Sequence, residues 1–288
     1  MTIVDAHHHL WDPDVGEYPW MTGDFAVLRR RYDLADLLPQ LLANQVSATI
    51  VVQVRADLAE TVELLELCTR TTTIVGVVGW ADLTAPEIGD QIDTLRAGPG
   101  GQHLVGLRHG AADESDPHWL LRDDVDAALR VLAHRGLTFD LEITARELAA
   151  ADALARRHPQ LRLVVDHGAK PPVAEGWRQD WADGIITLSK NPNVWCKLSG
   201  LVTEASWTTW TPADLQPYVD HLLCAFGTHR LMFGSDWPVC ELAASYDRVL
   251  AAAHHTLAAL DDGARRDILS HNALCFYQPP DAIPGEHQ

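Results

Sequence analysis

Short apolar, β-branched runs recur along the chain at fairly even intervals, at residues 3–4, 48–54, 74–80, 104–108, 137–143, 161–166, 194–198 and 231–234. Most are continuous and do not alternate with polar residues, which is the mark of strands buried on both faces of a parallel sheet. Between them lie segments of helical spacing. In residues 58–68, Leu64, Leu65 and Cys68 fall on one side while Glu60, Glu63 and Glu66 lie elsewhere. Residues 124–134, 145–157, 213–226 and 246–260 read the same way. Thr144 with Glu147 three residues on, and Thr211 before Pro212, are helix start signals. Strand followed by helix, repeated about eight times, predicts parallel α/β architecture with right-handed crossovers. Counting does not choose between a closed barrel and an open doubly wound sheet. Residues 12–31 and 169–180 read as long loops after strands one and six, at the strand ends where α/β proteins shape their sites.

Length and composition narrow this picture. The 288 residues suit one closed eight-strand domain over residues 1–278, followed by a proline-rich, polar and loosely ordered tail at 279–288. A hydrophobic content of 47% supports a large core without crosslinks. Forty acidic against 22 basic residues give a net charge of −18, which disfavours nucleic acid and anionic membrane as partners and leaves a small molecule. The five cysteines are scattered, with no Cys-x-x-Cys pair, as expected of reduced thiols in a cytoplasmic protein. No leader pattern and no membrane-length apolar stretch is expected from the sequence. A homo-oligomer is compatible with all of this.

Candidate chemistry gathers at the predicted strand ends. In Asp5-Ala6-His7-His8-His9, period-two alternation puts His7 and His9 on one side of the first strand and His8 on the other. A His-x-His pair facing inward grips a metal or orients a water, the bland readings being a tag remnant or core packing. Asp236, in Phe233-Gly234-Ser235-Asp236-Trp237-Pro238, ends the last strand and meets that pair if strands one and eight are neighbours. Alone it reads equally as a turn cap before Pro238. His167 closes the sixth strand. Arg108 alternates with Gly106 on the fourth, where its donor fork suits a carboxylate or oxyanion, or a plain surface ion pair. Gln53, Glu142, and Lys197 with Ser199 are weaker candidates, and Trp11, Trp20, Trp80 and Trp237 lie near strand ends or their loops. There is no Gly-x-Ser-x-Gly elbow, phosphate-binding glycine loop or dinucleotide fingerprint, so serine-nucleophile and nucleotide chemistries lose weight.

Taken together, Asp5-Ala-His-His-His-Leu-Trp, Tyr18-Pro-Trp, Val78-Gly-Trp-Ala-Asp-Leu, Gly106-Leu-Arg, Asp166-His-Gly-Ala-Lys-Pro-Pro, Cys196-Lys-Leu-Ser-Gly-Leu and Phe233-Gly-Ser-Asp-Trp-Pro-Val-Cys resemble the amidohydrolase superfamily. The resemblance spans nearly the whole chain and is strongest to the amidohydrolase 2 branch, with its sugar lactonases of the L-fuconolactonase kind. It implies a (β/α)8 TIM barrel of amidohydrolase type and a hydrolase that opens an aldonolactone. It also implies that His7, His9, His167 and Asp236 are the active-site positions, with Arg108 contacting substrate. Trp11, Gln53, Lys170, Lys197 and Trp237 are then the expected substrate contacts. The metal-rich members carry a carboxylated Lys or a Glu on strand four and a His on strand five. Here those strands offer Arg108 and Phe139-Asp-Leu-Glu-Ile, which argues against two metals. One divalent ion, zinc foremost, on His7, His9 and Asp236 is one alternative, and metal-independent hydrolysis is the other. Gly168 stands where a related lactonase often has a larger apolar residue. Two rival functions stay open on the sequence: a metal-dependent decarboxylase of the same branch, and a non-catalytic sugar-acid-binding barrel.

Overall fold

The computed structural model describes residues 2–278, so the expected tail at 279–288 lies outside the described residues. Eight strands, β1 (Ile3–His8), β2 (Val46–Val52), β3 (Ile74–Gly79), β4 (Leu104–Gly110), β5 (Thr138–Glu142), β6 (Leu163–Val165), β7 (Val194–Leu198) and β8 (Leu231–Phe233), pair in sequence order. Every adjacent pair from β1–β2 to β7–β8 is parallel. The circle shuts where the first strand meets the residues after the last. Asp236 N donates to His7 O at 2.8 Å and His9 N to Trp237 O at 2.7 Å. The fold is therefore a (β/α)8 barrel, the choice that strand counting left open.

The strands form here because their residues are mostly apolar and often β-branched: β3, for example, is buried at every position. The helices α1 (Leu34–Ala43), α2 (Leu58–Cys68), α3 (Ile88–Ala97), α4 (Asp123–His134), α5 (Leu148–Arg157), α6 (Gln179–Ser189), α7 (Pro212–Phe226) and α8 (Tyr246–Thr256) cover the outside. Helix α1 starts on a capping box at Asp33 and α7 on one formed by Thr211 and Asp214, with Pro212 in the first turn. Two short helices follow, α9 (Asp262–Arg266) and α10 (Asn272–Tyr277). The last one seals one end of the barrel. The Asn272 side chain donates to the carbonyls of Thr228 at 2.8 Å and Leu231 at 2.7 Å, where β8 begins, and Arg162, just ahead of β6, donates to Phe276 O. Those contacts all lie at the N-terminal ends of strands. The opposite, C-terminal end stays open for chemistry. No helix among the described residues is long and apolar enough to cross a membrane.

Candidate active site

Four side chains expected from separate parts of the sequence converge at the open end. His7 Nε2 lies 3.2 Å from His9 Nε2, and Asp236 Oδ1 lies 3.8 Å from the first, 3.5 Å from the second and 3.9 Å from His167 Nε2. His167 packs edge-on against His7, with ring centroids 4.5 Å apart. The backbone is bent hard to achieve this. Asp236 (φ 57°), His167 (φ 53°), Ala169 (φ 61°) and Lys170 (φ 47°) all occupy the left-handed region, each at about 1–2 kcal/mol for a residue with a Cβ. Two glycines leave the necessary room: a Cβ on Gly234 would stand 2.6 Å from His7 Cβ, and one on Gly200 (φ 65°) 2.5 Å from His167 Nδ1.

A second layer holds the imidazoles in place. His9 Nδ1 faces the Val52 carbonyl at 2.8 Å, so it carries the ring proton and leaves Nε2 as a free acceptor. His167 Nδ1 faces Ser199 Oγ at 2.9 Å; with the hydroxyl donating, Nε2 keeps its proton and points it into the site. His7 Nδ1 lies 3.0 Å from Lys197 Nζ and 3.4 Å from Asp166 Oδ1. Burial lowers the pKa of His7, and the Lys197 charge adds to the effect, so the ring is neutral. Burial likewise lowers His167, against the opposing pull of Asp236. Burial alone would raise Asp166, but Lys197, His7 and Arg108 outweigh it and hold that carboxylate ionised. For Asp140 burial wins and pushes it up to about 6, although Lys197 pulls the other way.

The remaining expected residues sort by depth. Arg108 reaches the site, with NH1 3.5 Å from His7 Nε2, but its fork is tied to Asp166 at 3.2 Å and to the Gln53 carbonyl. Gln53 returns the contact through its side chain to Arg108 O at 3.3 Å. Lys170 pairs with Glu142 at 2.9 Å and stays partly open to the mouth. Lys197 is wholly buried and binds Asp140 and Asp166 at 2.5 and 2.9 Å, which places it under the site and away from its wall. Trp237 is also buried, its indole N–H donated to Glu241 at 2.9 Å. Trp11 donates its own to the Leu28 and Arg30 carbonyls and opens an aromatic row, Trp11, Trp20, Phe25 and Trp207, linking the β1 and β7 loops. A cavity of about 550 Å³ lies between the 12–35 segment and α2 and shares Trp11 with this row, but none of the His/Asp cluster lines it.

Three participants went unread in the sequence: Asp140, Asp166 and Tyr277. The first two carried a usable signal, since a carboxylate inside an apolar strand or closing one is rarely buried without a partner. Tyr277 carried none, because nothing in its surroundings indicates that α10 turns under the barrel.

The donor set fits one metal ion when His7 carries its proton on Nδ1, facing Asp166 Oδ1 at 3.4 Å, and presents Nε2 unprotonated. His7 Nε2, His9 Nε2 and Asp236 Oδ1 are mutually 3.2–3.8 Å apart, near the edge of about 3.3 Å that four-coordinate zinc imposes on ligands at about 2.0–2.1 Å. His9 already has the outer hydrogen bond typical of a ligating imidazole. Among the described residues, His7, Asp166 and His167 make a second such group, but it shares His7 with the first and Asp166 is already bound by Lys197 and Arg108.

Comparison with known proteins points the same way. The amidohydrolase family matches residues 4–278. An L-fucono-1,5-lactonase of Burkholderia multivorans is 38% identical over 97% of both chains. A second L-fucono-1,5-lactonase, from Burkholderia ambifaria, is 36% identical over 96% of this chain and 95% of its own. A crystal structure of a Burkholderia multivorans amidohydrolase with bound zinc is 36% identical, covers 97% of this chain and 100% of its own, and superposes with a TM-score of 0.92.

Proposed function

The chain belongs to the amidohydrolase family, and from that premise we propose that it is a hydrolase opening the ester bond of a sugar-derived lactone, with an L-fuconolactone-like aldonolactone as substrate. The observation that carries the reading is the Asp236 carboxylate set within 3.5–3.9 Å of three imidazoles at the open barrel end. The relatives named as L-fucono-1,5-lactonases support the substrate class. The reading assigns the chemistry to one unit, residues 1–278.

In this mechanism Asp236 presents Oδ1 to the imidazoles and takes a proton from water with Oδ2. His7 and His9 orient that water, whose oxygen adds to the lactone carbonyl carbon. His167 Nε2–H and Arg108 face the oxyanion that forms; a well-placed donor there is worth about 3 kcal/mol. As the tetrahedral centre collapses, the bond to the ring oxygen breaks and Asp236 returns its proton to that oxygen, leaving the hydroxy acid. A zinc ion on His7, His9 and Asp236 would supply Lewis-acid polarisation at the same point.

The test is a pH-indicator screen of purified protein against five- and six-membered aldonolactones, including L-fucono-1,5-lactone, with and without chelator and paired with metal analysis. Acid release is expected from hydroxylated lactones. Asp236→Asn should keep the fold and lose about 10³-fold or more in turnover. Near-normal hydrolysis by that variant overturns the assignment. Loss of activity with chelator, restored by zinc, assigns the ion; indifference to chelator with no bound metal assigns a metal-independent reaction.

A further inference from the structure

The buried polar groups beneath the site form a continuous chain that starts at the far end of the barrel. Tyr277, at the end of α10, is almost fully buried and donates its hydroxyl to Asp140 Oδ2 at 2.7 Å. The same carboxylate oxygen accepts from Lys197 Nζ at 2.5 Å. Lys197 in turn lies 2.9 Å from Asp166 Oδ1 and 3.0 Å from His7 Nδ1. The other nitrogen of that ring, His7 Nε2, is the one in the site, 3.2 Å from His9.

We infer that Tyr277 is a positioning residue for His7, acting through Asp140 and Lys197, so that the plug at the closed end sets the geometry of the open end. In the metal-free protein Asp140 Oδ2 and His7 Nδ1 each accept a proton from the ammonium group, and Asp166 Oδ1 stands beside it as an ion-pair partner at 2.9 Å. Its location is therefore defined only while all three partners hold still. Asp140 Oδ2 is held by two donors, Lys197 and Tyr277, in a fully buried position, while its other oxygen, Oδ1, has no hydrogen-bond partner among the described residues. Without the phenol the carboxylate can rotate to follow Lys197 or pull it down, and in either case the proton offered to His7 Nδ1 moves. Helix α10 is itself pinned to the start of β8 through Asn272, so Tyr277 enters the barrel from a fixed base.

A phenol that merely caps a buried carboxylate would contribute stability and nothing else. The separating experiment compares Tyr277→Phe with Phe276→Leu, which loosens the packing of the same helix, its contact with the Tyr277 ring included, but keeps the phenol hydroxyl. Long-range proton–nitrogen spectra of the imidazoles, recorded on protein without substrate, should show the His7 nitrogens displaced in Tyr277→Phe and unmoved in Phe276→Leu. Resting on the lactonase reading, kcat of Tyr277→Phe should fall about tenfold with KM within about twofold of wild type. Unmoved His7 signals in Tyr277→Phe, or equal displacement in both variants, would overturn the inference. Wild-type protein inert toward every lactone would count against the function proposed above, and the spectra would still decide the role of Tyr277.

Discussion

His8 shows how much one residue's orientation matters. It sits between two site histidines but points the other way, fully buried, with Nε2 2.9 Å from Thr49 Oγ1. Burial, helped by the nearby His9, brings its pKa down to about 3. The folded state thus holds this ring neutral while the unfolded chain protonates it near pH 6.5. The sign follows: the unfolded state binds more protons between those values, so the His8 contribution is complete above pH 6.5 and is lost as pH falls towards 3. Wild-type protein should take up about one more proton on unfolding in that window than His8→Gln, read from the pH dependence of denaturant midpoints. Equal slopes would show that His8 is charged in the fold. Alternation along β1 made this division of the three histidines legible in the sequence. It says nothing about depth along the barrel axis, and for that reason Lys197, expected as a substrate contact, lies wholly buried beneath the His/Asp cluster, paired with Asp140 and Asp166.

At the level of elements, short continuous apolar strands and amphipathic helices were legible, and α2 begins and ends where its spacing predicts. Helix α5 starts at Leu148, three residues later than its signals suggest, because Thr144 and Glu147 close the preceding turn on each other at 3.0 Å. Helix α8 ends at Thr256, four residues short of its apolar pattern, and the chain continues as a turn. Helices α1, α3 and α6 went unread: α1 carries Pro39 in its interior, and α6 opens within the segment expected to be a loop. The turns after β6, β7 and β8 carry the strain that aims the site. Gly200→Ala should show it, since both its φ of 65° and the 2.5 Å approach to His167 Nδ1 oppose a Cβ. The expected result is a melting temperature a few degrees lower and turnover reduced about tenfold to a hundredfold as His167 is displaced. Wild-type turnover in that variant would mean that His167 does not need its present position.

Across the whole molecule, one buried carboxylate reinforces the backbone hydrogen bonds that close the barrel. Asp5 on β1 accepts from Ser235 N at 2.8 Å, Ser235 Oγ at 2.6 Å, Tyr246 OH at 2.9 Å and His7 N at 3.1 Å. It joins the first strand to the turn after the last and to α8. Burial raises its pKa, and these donors partly offset that. Asp5→Ala would strand several donors in a dry seam at about 3 kcal/mol or more, measurable by chemical denaturation. A loss under about 1 kcal/mol would show that the ladder alone closes the barrel. Closure was not legible from strand counting, because an open sheet has the same local pattern; it depends on contacts more than 200 residues apart in sequence.

That seam also dictates the order in which competence can arise during synthesis. The imidazoles of residues 7 and 9 are made more than 220 residues before the carboxylate at 236 and the phenol at 277. A nascent chain that has folded half its helices still lacks the acid that completes the cluster and the peg that steadies it. On the mechanism proposed above, a chain that ends before residue 236 is expected to show no lactone hydrolysis, which a truncated protein assayed beside the full chain would check.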